Sequence, residues 1–130
     1  MQEKIKILVA EDNELQLNMF CNALSKAGFE VIPASSGIKI YHDVLKNQPH
    51  LILLDIKMPE IDGIEICRNL KRAPNTKDII IVIHSSKKDT ELMDLASEFG
   101  ADGYIIKSDN LEQMVERTKE IIRDKLGKDV

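Results

Sequence analysis

A chain of 130 residues, 43% hydrophobic and 31% charged, has the size and balance of one ordinary domain with a real core, and it lacks a disordered signature. Its formal net charge of −4, from 22 acidic against 18 basic residues, excludes a sequence-wide basic field for nucleic acid or anionic membrane, and equally an acidic tail. No apolar run approaches the ~18 residues of a membrane span, and MQEKIKILVAED at the amino terminus carries too short a run for a signal peptide.

In chain order, short apolar runs alternate with longer amphipathic stretches. Ile5–Ala10 (IKILVA) reads as a strand, followed by a helix whose inner face is Leu17, Phe20, Cys21, Leu24 and Ala27, closed by Gly28. Phe29–Ala34 (FEVIPA) is the second strand, with a helix from about Gly37 to Lys46 behind it. The third strand, His50–Asp55 (HLILLD), and the fourth, Ile79–His84 (IIIVIH), are almost continuously apolar, which suits central strands covered on both faces. Between them a helix runs from Asp62 to Arg72, ahead of Pro74. Leu92, Leu95, Ala96 and Phe99 form the face of a fourth helix closed by Gly100, and Asp102–Lys107 (DGYIIK) is the last strand. A final helix starts near Asp109 and carries Leu111, Met114, Val115, Ile122 and Leu126 before Gly127.

Strict alternation of this kind predicts an α/β fold: a parallel five-stranded sheet with helices on both faces. Five strands and five helices use up the chain, so a single domain over residues 1–130, with nothing appended, is expected. Cys21 shares a helical face with Leu17 and Leu24, and Cys67 with Ile64 and Leu70. Both read as buried thiols without metal spacing, consistent with a reducing, cytoplasmic setting.

In a parallel sheet every strand ends along one edge, where open α/β sheets bind their ligands. Glu11 and Asp12 follow the first strand, Asp55 ends the third, Ser85 follows the fourth and Lys107 ends the fifth. Singly, most have bland readings: Asp12 or Asn13 could cap a helix, since NELQ (Asn13–Gln16) fits a capping box, and Asp62 in DGIE reads as a cap rather than a ligand. Ser85 and Ser86 alone would be loop residues and Lys107 a solvated lysine; the coincidence at several strand ends is what points to a site. Two unit charges ~4 Å apart repel by about 4 kcal/mol at an effective dielectric near 20, so Glu11, Asp12 and Asp55 converging there call for a strong cation. Hard carboxylate oxygens with room for water suit Mg²⁺, and a carboxylate nucleophile beside Mg²⁺ suits a phosphoryl target.

The acidic pair Glu11–Asp12, DIKMPEIDG from Asp55, HSS after the fourth strand and YIIK ending at Lys107, in this order and spacing, resemble the receiver domain of bacterial two-component response regulators over the whole chain. The resemblance implies a flavodoxin-like (βα)5 fold with strand order 2-1-3-4-5. It implies that Asp55 accepts a phosphoryl group from a sensor histidine kinase or phosphotransfer protein. Mg²⁺ would be held by Asp12, by Glu11 through water, by Asp55 and by the backbone carbonyl of Lys57. Lys107, the Ser85 hydroxyl and the Ser86 N–H would hold phosphoryl oxygens, while Ser85 and Tyr104 would form a switch read by a downstream effector protein. Met58, Pro59 and Gly63 would shape the loop behind the acceptor. Beyond its own phosphorylation and dephosphorylation no enzymatic turnover is implied, and the chain would be a monomer or weak dimer with no output domain.

Three departures stand out: Ser85 where threonine is frequent, Ser86 where alanine is usual, and Ser108 after Lys107 where proline is usual. A cis bond before serine would cost ~2.5–4 kcal/mol, so a trans bond and a shifted loop are expected. Lys57 and Lys87, two residues beyond Asp55 and Ser85, could overhang the phosphoryl group and lengthen its life. The competing readings are a receiver-like interaction module that works without phosphorylation and a Mg²⁺-dependent phosphatase. GxxxxGK[ST] and GxGxxG are absent, which speaks against a nucleotide site.

Overall fold

The computed structural model describes residues 4–58, 61–86, 90–107 and 110–130. The chain forms β1 (Lys6–Ala10), α1 (Glu14–Lys26), β2 (Glu30–Ala34), a 3₁₀ turn (Gly37–Lys39) leading into α2 (Ile40–Asn47), and β3 (Leu51–Asp55). A two-stranded antiparallel ribbon then pairs Lys57–Met58 with Ile61–Asp62. After it come α3 (Gly63–Arg72), β4 (Ile80–Ser85), α4 (Thr90–Glu98), β5 (Gly103–Ile106) and α5 (Leu111–Leu126). The five main strands lie in the order β2-β1-β3-β4-β5, all parallel, which is the expected topology.

The period-2 alternation of strand side chains divides the interior into two cores. Leu8, Ile52, Leu54, Ile81 and Ile83 face α2, α3 and α4, against Ile40, Val44, Ile66, Cys67 and Ala96. Ile7, Val9, Leu51, Leu53 and Val82 face α1 and α5, against Leu17, Phe20, Leu24, Met114 and Ile122. Every residue of β3 and β4 is buried, as their unbroken apolar runs predict.

The helix ends follow local chemistry. Asn13 and Asp62 cap α1 and α3 by accepting backbone N–H bonds from Gln16 and Ile64, so Asp62 has the capping role expected of it. At α5 the cap is Asn110, in a full capping box with Gln113; the expected start at Asp109 lies outside the described residues. Gly28 and Gly127 close α1 and α5 at φ 100 and 64, the left-handed region where a β-carbon is penalised.

Two expectations need correction. Leu95 is 39% exposed: Ala96 fills the inward position of α4, and Leu92 and Phe99 pack partly against the core. Cys21 is half-buried at the margin of the α1–α5 core, whereas Cys67 is fully buried, with its thiol pushed up to about 11 by desolvation.

At the opposite sheet edge Asp102 ties β4 and β5 to α3. The Asp102 backbone N–H donates to Ile81 O (2.7 Å), and its Oδ2 accepts the Ile81 N–H (2.9 Å). Lys71, from the last turn of α3, pairs with that Oδ2 at 2.8 Å and donates to Ile79 O at 2.8 Å. The clip fastens α3 to the starts of β4 and β5, and so helps fix the register that carries Lys107 to the far end of β5.

Candidate functional site

Parallel register puts the ends of β1, β3 and β4 side by side. Ala10 pairs with Leu54 and Asp55 with His84, so Glu11, Asp55 and His84 continue one row on the α1–α5 side of the sheet. Lys107 follows β5, two residues beyond Ile105 on the same side, and its N–H donates to Ser85 O at 2.7 Å. The strand ends thus bring together residues separated by up to 96 positions in the chain.

Among the described residues, one carboxylate oxygen each from Glu11, Asp12 and Asp55 lie within 4.8 Å of one another. Glu11 and Asp55 are buried, at 2% and 5% exposure, and Asp12 is exposed. The Lys107 ammonium spans the pair, bonded to Glu11 Oε1 and 3.2 Å from Asp55 Oδ2. Backbone donors fix the other carboxylate oxygens: Asn13 N–H donates to Glu11 Oε2 (3.0 Å) and Lys57 N–H to Asp55 Oδ1 (3.1 Å). Burial, outweighing the Lys107 and Asn13 hydrogen bonds, raises the Glu11 carboxyl above its ordinary value, and the Asp55 charge adds to the rise.

Three carboxylates against one ammonium leave the cluster short of positive charge when all are ionised. The donor set is all hard oxygen. Octahedral Mg²⁺ holds its ligands at about 2.0–2.1 Å, so donors sit at most ~4.2 Å apart across the ion. A spread of up to 4.8 Å therefore fits such an ion with a small inward adjustment, or with one carboxylate acting through water, and the exposure of Asp12 gives water access.

Behind Asp55 the chain is held close by Gly63. A β-carbon there would lie 2.6 Å from Ile56 Cα and 3.0 Å from Asp55 O, and the Gly63 N–H donates to Ile56 O at 3.2 Å. Met58 is buried in the α2–α4 core, while the Lys57 side chain points to solvent. Pro59, Lys87 and Ser108 fall outside the described residues, so the loop, overhang and peptide-bond expectations attached to them do too.

Ser85 is buried and ends β4, and Ser86 is exposed just beyond it. Tyr104 is half-buried, paired in register with Ile83, so it lies one pleat from Ser85 on the α2–α4 face. It lines a cleft of about 270 Å³ with Met93, Ala96 and Ser97 of α4. His84 turns inward, edge-on to Phe20 with ring centroids 4.6 Å apart, and burial lowers its imidazole to about 3, with the nearby Lys107 charge adding to the effect. It is a neutral core residue, as the lack of a base role in the motif suggests.

The sequence profile described as "Response regulator receiver domain" matches residues 7–119. The chain belongs to that family. The receiver is 34% identical over 117 residues to the phosphate regulon transcriptional regulatory protein PhoB of Pseudomonas aeruginosa, covering 90% of this chain and 51% of that protein. It is 30% identical over 113 residues to the "Probable chemotaxis protein CheY" of Rhizobium etli, covering 86% of this chain and 88% of that one. Among solved structures, the BeF3-activated DrrB receiver domain superposes with a TM-score of 0.82 at 26% identity, over 93% of this chain and 99% of that one. The receiver spans about half the length of PhoB and of the Bacillus subtilis regulator PhoP, which it also matches. Among the described residues, no helix is long and apolar enough to cross a membrane.

One neighbour of the site, Gln16, is not marked by the motifs. Gln16, assigned to a capping box, points its carboxamide oxygen at Lys107 (3.5 Å), and the Asn13 N–H goes to Glu11 instead. A polar residue one helical turn after an acidic pair is the only sequence signal for it, and that signal is shared with every capped helix.

Proposed function

We propose that the receiver accepts a phosphoryl group on Asp55 from a phosphohistidine of a sensor kinase or phosphotransfer protein and passes the signal to an effector protein. The observation that carries this reading is the convergence of Glu11, Asp12, Asp55 and Lys107 at the carboxyl edge of the sheet. In the transfer, an Asp55 carboxylate oxygen forms the new P–O bond as the P–N bond to the donor imidazole breaks. The electron pair returns to the ring nitrogen. Lys57 N–H, by holding one Asp55 oxygen, orients the other for in-line attack.

Glu11, Asp12, Asp55 and the Lys57 carbonyl would hold Mg²⁺, which when bound supplies charge compensation for the phosphoryl oxygens. Lys107 pairs with one phosphoryl oxygen, and the Ser85 hydroxyl and Ser86 N–H hold others. Ser85 then vacates space beside Tyr104, whose ring moves inward and changes the α4–β5 surface offered to the effector. This reading has the receiver act as a monomer or weak dimer, without turnover on a separate substrate.

The test is intact-mass spectrometry after incubation with acetyl phosphate and Mg²⁺. One added phosphoryl group is expected on the wild type, and none without metal or in Asp55→Ala. An adduct that persists in Asp55→Ala would overturn the assignment of the acceptor. No adduct and no Mg²⁺ binding by a folded protein would favour an interaction module that works without phosphorylation.

A further inference from the structure

We propose that Gln16 is a positioning residue for Lys107, setting how the ammonium is shared between Glu11 and Asp55; its effect on phosphorylation rests on the reading of Asp55 as acceptor. The molecule contains its own control. Two helices begin with the pattern Asn-x-x-Gln: Asn13–Gln16 at α1 and Asn110–Gln113 at α5. At α5 both arms of the capping box close, with Gln113 N–H donating to Asn110 Oδ1 (2.8 Å) and Asn110 N–H to Gln113 Oε1 (3.3 Å). At α1 only the first arm closes, Gln16 N–H to Asn13 Oδ1 at 2.9 Å. The Asn13 N–H is taken by Glu11 Oε2, and the Gln16 carboxamide turns instead to the Lys107 ammonium, Nζ to Oε1 at 3.5 Å. The same local sequence has two outcomes because only α1 starts beside a buried carboxylate.

An ammonium carries three N–H donors, and among the described residues Lys107 has three oxygen partners: Glu11 Oε1, Asp55 Oδ2 and Gln16 Oε1. Two are anionic and draw the ammonium inward. The third is neutral and weaker, and Gln16 and Lys107 line a cleft of about 580 Å³ with Met19, Phe20 and Leu111. A neutral oxygen on that side holds the ammonium back from full contact with Asp55 without capturing it, because an ionised acceptor adds a charge–charge attraction to the ammonium that an amide oxygen lacks. Without it, Lys107 closes onto the two carboxylates, and a carboxylate held tightly by an ammonium is a poorer nucleophile. Gln16 also gives way most readily when a phosphoryl oxygen presents itself as a third anionic partner.

Two measurements test this. The first follows the Lys107 ¹³Cε–¹Hε NMR signal, assigned by its loss in Lys107→Arg, without metal or phosphodonor. Gln16→Leu is expected to shift it and Gln16→Glu to shift it in the opposite sense, with the Lys71 signal unmoved in both. An unchanged Lys107 signal in a folded Gln16 variant overturns the inference, whether or not Asp55 accepts a phosphoryl group. The second measures the rate of modification by acetyl phosphate at saturating Mg²⁺. Gln16→Leu is expected to slow it about two- to fivefold, the size of one weak hydrogen bond, and to change nothing further in a Lys107→Met background. Equal slowing in both backgrounds would mark Gln16 as a general structural residue and refute the proposal. A wild type that takes no phosphoryl group would sink the functional reading, while the NMR result would still decide this one.

Discussion

Adding one methyl group at Gly63 and one at Gly103 separates backbone crowding from side-chain crowding. The Gly63 β-carbon would meet Ile56 Cα at 2.6 Å and Asp55 O at 3.0 Å; the Gly103 β-carbon would meet Ile121 Cδ1 at 2.7 Å. The overlaps are nearly equal, but the obstacles differ. Ile121 Cδ1 is the far end of a side chain that can rotate, whereas Ile56 Cα belongs to the backbone just after β3. Relief at Gly63 needs the start of α3 to separate from the Asp55–Ile56 segment by roughly 1 Å, in an interior packed like an organic crystal. Overpacking of this kind costs about 1–3 kcal/mol, and Gly63→Ala belongs at the upper end, offset by under ~1 kcal/mol from the better helix propensity of alanine. For a domain of this size, each kcal/mol lowers the melting temperature by roughly 3–5 °C. Urea unfolding of Gly63→Ala, Gly103→Ala and the wild type gives the comparison, with calorimetry of Mg²⁺ binding as a second readout. Gly63→Ala should lose about 2 kcal/mol and bind Mg²⁺ more weakly, since Asp55 and Lys57 flank the displaced segment; Gly103→Ala should lose under ~1 kcal/mol. A Gly63→Ala protein within 0.5 kcal/mol of the wild type, or no weaker in Mg²⁺ binding, would refute the idea that this close approach sets the site.

Other expectations follow from the buried titratable groups. The His84 imidazole is depressed to about 3, chiefly by burial, so its contribution to stability is complete above its unfolded value near 6.5 and is lost as pH falls towards 3. Wild-type stability should therefore fall between pH 6 and 4 with a contribution of up to ~1.4 kcal/mol per pH unit that His84→Leu lacks; parallel acid limbs for the two proteins would count against it. Glu11 has the opposite sign: its raised carboxyl favours the fold below the unfolded value and loses that contribution as pH rises through the folded one. In metal-free buffer Glu11→Gln should be more stable than the wild type at pH 7, with the advantage shrinking towards pH 4.5, and it should bind Mg²⁺ more weakly; a variant less stable at pH 7 would contradict this. For the thiols, a disulfide reagent under native conditions should modify Cys21 and reach Cys67 only on unfolding, because Cys67 is fully buried and its thiolate strongly disfavoured. Rapid native modification of Cys67, mapped by peptide mass, would show that α3 opens.

Much of this protein was legible in the sequence because its signals are local and periodic. The unbroken apolar runs of β3 and β4 mark strands buried on both faces, and alternation with amphipathic helices marks a parallel sheet. A parallel sheet puts strand ends on one edge, so the sequence alone makes Glu11, Asp12, Asp55, Ser85 and Lys107 neighbours. Their spacing also carried the family resemblance.

What tertiary structure alone decided is how those neighbours share space. Leu95 and Cys21 fit the periodicity of buried faces, but a stripe of residues is wider than the contact a helix makes, and packing left both at the margin. Asp102 and Lys71 read as ordinary surface charges 31 residues apart; only the meeting of α3 with the starts of β4 and β5 makes them a clip. Gln16 and Gln113 occupy equivalent places in the same four-residue pattern, and local chemistry predicts a closed box for both. At α1 a buried carboxylate on the preceding strand end takes the cap's N–H, and a lysine 91 residues away draws the glutamine. Sequence sets what each segment can do by itself. Which of its possible hydrogen bonds a polar side chain makes depends on the charges that distant strands bring beside it, because burial strengthens those interactions beyond what local preference can resist.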